Sequence, residues 1–317
     1  MFLYILRRLG YVVPIALAVS AVCFALVYLG PVDPLKAVLP PDASLELIEK
    51  LKVDYGFDKP VPVQFAKWVW RAAHGDLGLS LATGRPVKDE ISRAIANTFV
   101  LAFFACSFGF TLGIAFGFVA GYFNGTWIDR VVTGFAVTGV SVPHYWLGMV
   151  MVILFSVILN WLPAMGMGAG GSADWAWDWE HIRFVILPAI TLSVIPTAIL
   201  ARTVRALVID ILSREFVAAL IAKGLNDRGV FRHVVKNAAP TALAVMGIQL
   251  GYLLGGSILV ETVFSWPGTG FLLSVAIFQR DLPLLQGTIL FLALFFVFLN
   301  LLVDVIQPLL DPRIRRT

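Results

Sequence analysis

Polar residues in this chain fall in bands between long apolar runs. Uncharged stretches cover Leu9–Gly30, Thr98–Phe123, Val131–Pro163, Phe184–Ala201, Ala238–Val260 and Leu284–Val303. An α-helix rises 1.5 Å per residue, so about 20 apolar residues cross roughly 30 Å of hydrocarbon. The pattern predicts an all-α, polytopic membrane protein built as one domain over residues 1–317, with six spans near 9–30, 98–123, 131–160, 184–206, 238–262 and 284–306. The third run contains Ser141-Val142-Pro143-His144, and proline removes a backbone donor and kinks a helix. A bend within one span is expected there, not two spans. Pro188 and Pro196 in the fourth run predict an irregular helix held by its neighbours.

Composition agrees with lipid as part of the solvent. Of 317 residues, 59% are hydrophobic and only 14% charged, and the mean hydropathy is +0.87. Globular domains carry about 25% charge. The net charge of +4 comes from cations beside apolar runs, as in topology signals, and does not point to nucleic acid. Cys23 and Cys106 both lie inside apolar segments and read as packed thiols. Arg7 and Arg8 resemble the basic head of a signal peptide, but the 22-residue run that follows is longer than a cleaved signal and reads as a retained span.

Lys and Arg placement orients the chain. With the N-terminus inside, inner segments hold thirteen basic residues, and the two short outer loops hold only Arg183 and Arg280. The outer segment 31–95 holds nine basic residues balanced by nine acids, and exceeds the length over which such counting applies. Both termini are therefore expected in the cytoplasm. Within the outer segment, Ser44 can cap a helix whose Leu45, Ile48 and Leu51 share a face and which stops near Gly56. Gln64 to His74 forms a second amphipathic stretch carrying Phe65, Trp68 and Trp70, aromatics suited to a membrane interface.

Two spans carry glycine at four-residue intervals, Gly109, Gly113, Gly117 and Gly121 in the second, and Gly247, Gly251 and Gly255 in the fifth. This spacing lines one helix face, where another backbone can approach closely. The same faces would also suit a sliding or inter-subunit surface.

The inner loop, residues 207–237, is the most informative region. Ser213 suits an N-cap, Glu215 suits the first turn, and Phe216, Val217, Leu220 and Ile221 form an apolar stripe. Gly224 is placed to end that helix in a left-handed conformation. Asn226 or Asp227 can cap a second helix through Val230, Phe231, Val234 and Val235 to Pro240. An amphipathic, basic helix–turn–helix on the cytoplasmic face serves either as a lever for a soluble partner or as a surface on anionic lipid.

Ala218-Ala219-Leu220-Ile221-Ala222-Lys223-Gly224 resembles the "EAA" loop of bacterial ABC importer permeases, with Ala218 in place of the glutamate and Leu220 in place of the second alanine. Ala222-Lys223-Gly224-Leu225 and Arg232-His233-Val234-Val235-Lys236-Asn237-Ala238 are similar to the variant in the dipeptide/oligopeptide/nickel subfamily. Gly75-Asp76-Leu77-Gly78-Leu79-Ser80, Ser141-Val142-Pro143, Leu254-Gly255-Gly256-Ser257, Val260 to Gly268, Gln286-Gly287 and Leu310 to Arg315 extend the resemblance along nearly the whole chain. The large outer segment resembles the dipeptide permease B-type subunit.

The resemblance implies a type I importer-like fold in the bacterial cytoplasmic (inner) membrane. It implies a heterodimer with a second permease subunit, two cytoplasmic ATPase subunits that bind ATP and Mg, and an extracytoplasmic solute-binding protein. On this basis Glu215, Ala219, Gly224, Asn226, Asp227, Arg228 and Arg232 are the expected ATPase-coupling residues. Di- or oligopeptides are the expected solutes, with nickel chelates or sugar conjugates as alternatives.

No Gly-x-x-x-x-Gly-Lys-Ser/Thr phosphate loop occurs, so no ATPase site, cofactor or catalytic residue is expected in this chain. An ion-coupled secondary transporter would bury ionisable groups at mid-membrane, whereas His144 lies near a kink and Glu261 and Asp304 lie near span ends. No His-Glu-x-x-His is present, and the four histidines are scattered, so no metal site is expected.

Overall fold

The computed structural model describes residues 10, 14–22, 24–25, 49, 59–171 and 174–310. Part of the first span, the helix expected after Ser44 except residue 49, and the tail after Leu310 lie outside the described residues. The elements are α1 (Val61–Ala73), α2 (Val87–Tyr122), α3 (Trp127–Ser141), α4 (His144–Met151) with a π-helical continuation at Val152–Ile158, α5 (Trp179–Leu212), α6 (Glu215–Ala222), α7 (Asp227–Val263), α8 (Thr269–Gln279) and α9 (Leu282–Leu310). The one extended pairing among the described residues is an isolated antiparallel bridge, Leu79 to Pro86.

Among the described residues two helices, α2 and α5, are each long and apolar enough to cross a membrane. Two bent helix pairs would raise that number to four, and α8 and residues 282–298 form shorter apolar helices. The expected third span is broken. Val142 and Pro143 separate α3 from α4, and the chain turns by 103° between them. This is far more than the bend expected within a single span. Pro143 leaves the α3 carbonyls without a continuing ladder, and Val142 sits in the extended conformation that a residue before proline favours.

Pro188, Pro196 and Pro240, in contrast, lie inside continuous helices. Each frees one carbonyl four residues earlier, which packed neighbours in a bundle tolerate. The 37-residue helix α7 therefore runs through Pro240, where the second loop helix was expected to stop.

Contacts divide the chain into two compact units. The first comprises Met1–Thr98 and Pro267–Leu301. In it Phe65 of α1 packs edge-on against Phe24 at 5.4 Å, and Val87, Ile91, Ala276 and Leu284 form the core. Asp281 is fully buried and accepts from Ser80 Oγ at 2.6 Å, Ala82 N at 3.1 Å and Leu284 N at 3.1 Å. The last of these caps α9. Asn97 Nδ2 donates to the Pro267 carbonyl at 2.9 Å, and the Thr269 amide donates to Thr98 Oγ1 at 2.8 Å. The segment around Ser80 and the loop at Asp281 thus lie against each other.

The second unit comprises Phe99–Trp266 and Leu302–Thr317. Its first core cluster holds Leu101, Met167, Leu187, Leu253, Phe264 and Trp266. The second holds Leu200, Val204, Val208, Ile211, Val217, Val230, Val234, Ala238 and Ala242.

The glycine face of α2 is the seam of this unit. A Cβ on Gly113 would meet the Thr197 carbonyl at 3.0 Å, on Gly117 the Ala201 carbonyl at 2.7 Å, and on Gly121 the Arg205 carbonyl at 3.0 Å. Gly109 faces Ser193 with more room, at 3.3 Å. Absent side chains let α2 and α5 lie backbone to backbone, as expected. In the α7 series Gly251 does not repeat this packing. A Cβ on Gly251 would meet nothing within 4 Å, Gly247 is half-buried, and the packing of Gly255 lies outside what is described.

Candidate functional site

The expected coupling loop is a short helix, α6, held at the corner where two long helices meet. Helix α5 runs without interruption to Leu212, and α7 starts at Asp227. Ser213 caps no helix N-terminus. It occupies the C-cap of α5, its hydroxyl donating to the Asp210 carbonyl at 2.8 Å, and Arg214 takes the N-cap of α6 with no side-chain bond. Serine satisfies a terminal carbonyl as readily as a terminal amide, and the chain had two helix ends within one residue. Arg214 Nη2 also reaches back to Asp210 Oδ2 at 2.7 Å.

Gly224 ends α6 as expected, at φ +84°. The Gly224 amide donates to the Ile221 carbonyl at 2.9 Å, and the Leu225 amide to the Leu220 carbonyl at 3.2 Å. This pair of bonds is a Schellman motif, and it needs a left-handed residue that only glycine adopts without penalty. Asn226 then caps α7, its Oδ1 accepting from the Gly229 amide at 2.9 Å. Of the two candidate caps, Asn226 is the one used, and Asp227 opens the first turn, where a negative charge suits the helix dipole.

Val217 is the one buried residue of α6, 2% exposed, and it packs into the second core cluster. One anchored valine and a glycine turn leave the rest of α6 outward. Glu215, Ala219, Gly224, Asn226, Asp227, Arg228 and Arg232 are all exposed, as are Phe216, Ile221 and Phe231. The surface therefore mixes apolar and charged side chains. The expected stripe is split between the two faces: Val217 points in, and Phe216 and Ile221 point out.

A polar joint near this corner was not legible in the sequence. Asp129, in the first turn of α3, is 4% exposed. Arg205 of α5 contacts it through Nε and, at 2.8 Å, through Nη2 to Oδ2. Asp129 also accepts from the Gly125 amide at 3.0 Å and from Thr133 Oγ1 at 3.2 Å, and Arg205 reaches Asn124 Oδ1 at 3.2 Å. The partners lie 76 residues apart. Arg205 read only as one of several inner cations, and nothing local tied it to an acid. The one hint was Asp129 itself, a carboxylate beside an apolar run.

No group of three or more His, Cys, Asp or Glu residues able to hold a metal occurs among the described residues.

Comparison with known proteins shows the family. Residues 1–102 match the family described as binding-protein-dependent transport system membrane component, N-terminal, and residues 113–316 match the binding-protein-dependent transport system inner membrane component. The glutathione transport system permease protein GsiC of Escherichia coli O6:H1 is 38% identical over 313 residues, with 98% of each chain covered. A Brucella abortus (strain 2308) protein named as a peptide transport system permease is 37% identical over 312 residues, again with 98% of each covered. Among solved structures, the inward-facing MetNI methionine ABC transporter superposes with a TM-score of 0.55 at 18% identity, covering 70% of this chain and 96% of that one. That likeness concerns the fold.

Proposed function

Because the chain belongs to the family of binding-protein-dependent transport system inner membrane components, we propose that it is the peptide-translocating permease subunit of a heteromeric ABC importer in the bacterial cytoplasmic membrane. The single observation that carries the coupling part of this reading is the exposed α6 corner, joined to α5 and α7 by short turns. A helix pinned by one valine between two long helices transmits a push at its surface along both. Glu215, Ala219, Gly224, Asn226, Asp227, Arg228 and Arg232 are the proposed contacts with a cytoplasmic ATPase subunit. ATP and Mg would sit on two such subunits, and this chain would supply no catalytic residue.

Support for peptides comes from the relatives' names, which specify glutathione and peptide transport. A second permease subunit would complete the pathway, and an outside binding protein would deliver the solute. Both termini and the α6 corner would face the cytoplasm, with Ser80 and Asp281 outside.

Gly224→Phe tests the coupling role. The bulky side chain cannot adopt φ +84° without strain and would break the Schellman turn. Co-purification of the ATPase subunits with the complex should be lost or ATP turnover uncoupled from uptake. Unchanged uptake per ATP would refute the role of the corner.

A further inference from the structure

The pair Asp129–Arg205 lies beside the α6 corner without belonging to its exposed surface. Arg205 is in the last two turns of α5, seven residues before Leu212 hands over to α6. Asp129 is in the first turn of α3, the helix that leads through the 103° break into α4. Helix α3 rests on α5 over an extended contact, and two of its attachments stand at the ends. At the far end Gly139 lets Val194 and Ala198 close in, a Cβ there meeting them at 3.1 and 3.4 Å. At the near end the attachment is the ion pair. Between them Ala136 is also buried, while Val131 is 61% exposed and Phe135 sets its ring edge-on to Phe116 at 5.9 Å.

The chemistry of the pair suits a rigid joint. An arginine fork on a carboxylate makes two parallel bonds, which fix orientation as well as distance. Asp129 further holds the Gly125 amide of the preceding turn and Thr133 one turn on, and Arg205 holds Asn124. The turn 123–126, the start of α3 and the end of α5 are thus tied together by side-chain bonds. A buried ion pair of this kind adds little net stability compared with apolar packing, and its best-attested use is to fix register.

We infer that Asp129 and Arg205 are positioning residues that pass displacement of the α6 corner from α5 to α3 and so to the broken segment beyond it. Without the pair, α5 moves with α6 while α3 stays behind. This rests on the proposed ABC-importer reading, and it adds a second output for the same lever.

The test uses the full complex, permeases, ATPases and binding protein together, reconstituted in liposomes with a labelled tripeptide that the unmodified complex imports. Arg205→Met, Asp129→Asn, the conservative Arg205→Lys, which keeps charge but loses the fork, and the exchange Asp129→Arg with Arg205→Asp are compared. Expected is at least a tenfold loss of uptake per ATP hydrolysed in the first two, with ATPase subunits still bound and turning over. Arg205→Lys falls between, and the exchange recovers part of the loss. Uptake per ATP unchanged in Arg205→Met and Asp129→Asn overturns the inference, as does loss of the ATPase subunits in step with uptake. If those two variants fail to reach the membrane, Arg205→Lys decides by the same criterion.

A solute-independent readout uses spin labels at exposed Val131 and Arg202. In the unmodified complex their separation stays fixed when a non-hydrolysable ATP analogue binds. In Arg205→Lys it broadens or shifts, and an unchanged separation there counts against the joint. Failure of the unmodified complex to bind any ATPase subunit would instead sink the importer reading on which this inference rests, whereas coupling kept in the pair variants of a competent complex sinks the joint alone.

Discussion

Gly117 of α2 and Ala201 of α5 lie so close that a methyl group on the glycine would sit 2.7 Å from the Ala201 carbonyl oxygen and 2.6 Å from Val204 Cβ. Neither obstacle is the end of a flexible side chain, so the helices themselves must separate.

Gly117→Ala is expected to destabilise the bundle by about 1–3 kcal/mol, the range for forcing a methyl group into a packed interior. Gly134→Ala is the control. Gly134 is helical with nothing within 4 Å of a Cβ, and there alanine should be neutral or stabilise by about 0.4–1 kcal/mol. Thermal melting of the detergent-solubilised protein separates the two, and equal effects would contradict the seam.

Asp281→Ala removes the cap of α9 and the acceptor for Ser80 and Ala82. The expected cost is about 1.5–3 kcal/mol, that of hydrogen bonds to a charged group. Limited proteolysis at residues 81–86 should become faster, while the α6 corner keeps its wild-type cleavage rate.

Acid should loosen the turn that follows α1. The hydrogen bond from Arg71 first, and then that from the Gly78 amide, hold the Asp76 carboxyl below the usual carboxylate range. A depressed folded value means that this stabilisation is fully present above the unfolded value of about 3.9 and is lost as pH falls through the folded one. Exposure of both partners keeps the effect small. Protease sensitivity at residues 71–78 should rise in that acid window, and Asp76→Asn should abolish the pH dependence.

Local signals were legible where one residue decides a conformation. Gly224 ends α6 because its φ is positive, and Asn226 caps α7 because its carboxamide reaches a free amide. The α2 glycine face was legible because its spacing needs only the helical repeat. Prolines misled in both directions. Pro143 accompanies a 103° turn, whereas Pro188, Pro196 and Pro240 leave their helices unbroken. The same missing donor is tolerated or not according to what packs around it, and that is tertiary information. Gly251 shares the spacing of Gly117 but meets no neighbour, because spacing shows which face is smooth and not what lies against it. Asp129 and Arg205, 76 residues apart, pair only once α3 lies on α5.

Seating of the α6 corner on a cytoplasmic ATPase subunit is the contact we propose. The most direct measurement is cysteine cross-linking in native membranes of the assembled complex, from Ala219→Cys on α6 and, as comparison, Thr83→Cys beside Asp281. The account predicts that Ala219→Cys cross-links to an ATPase subunit and that Thr83→Cys does not. A cross-link from Thr83→Cys with none from Ala219→Cys would contradict both the docking surface and the orientation of the chain.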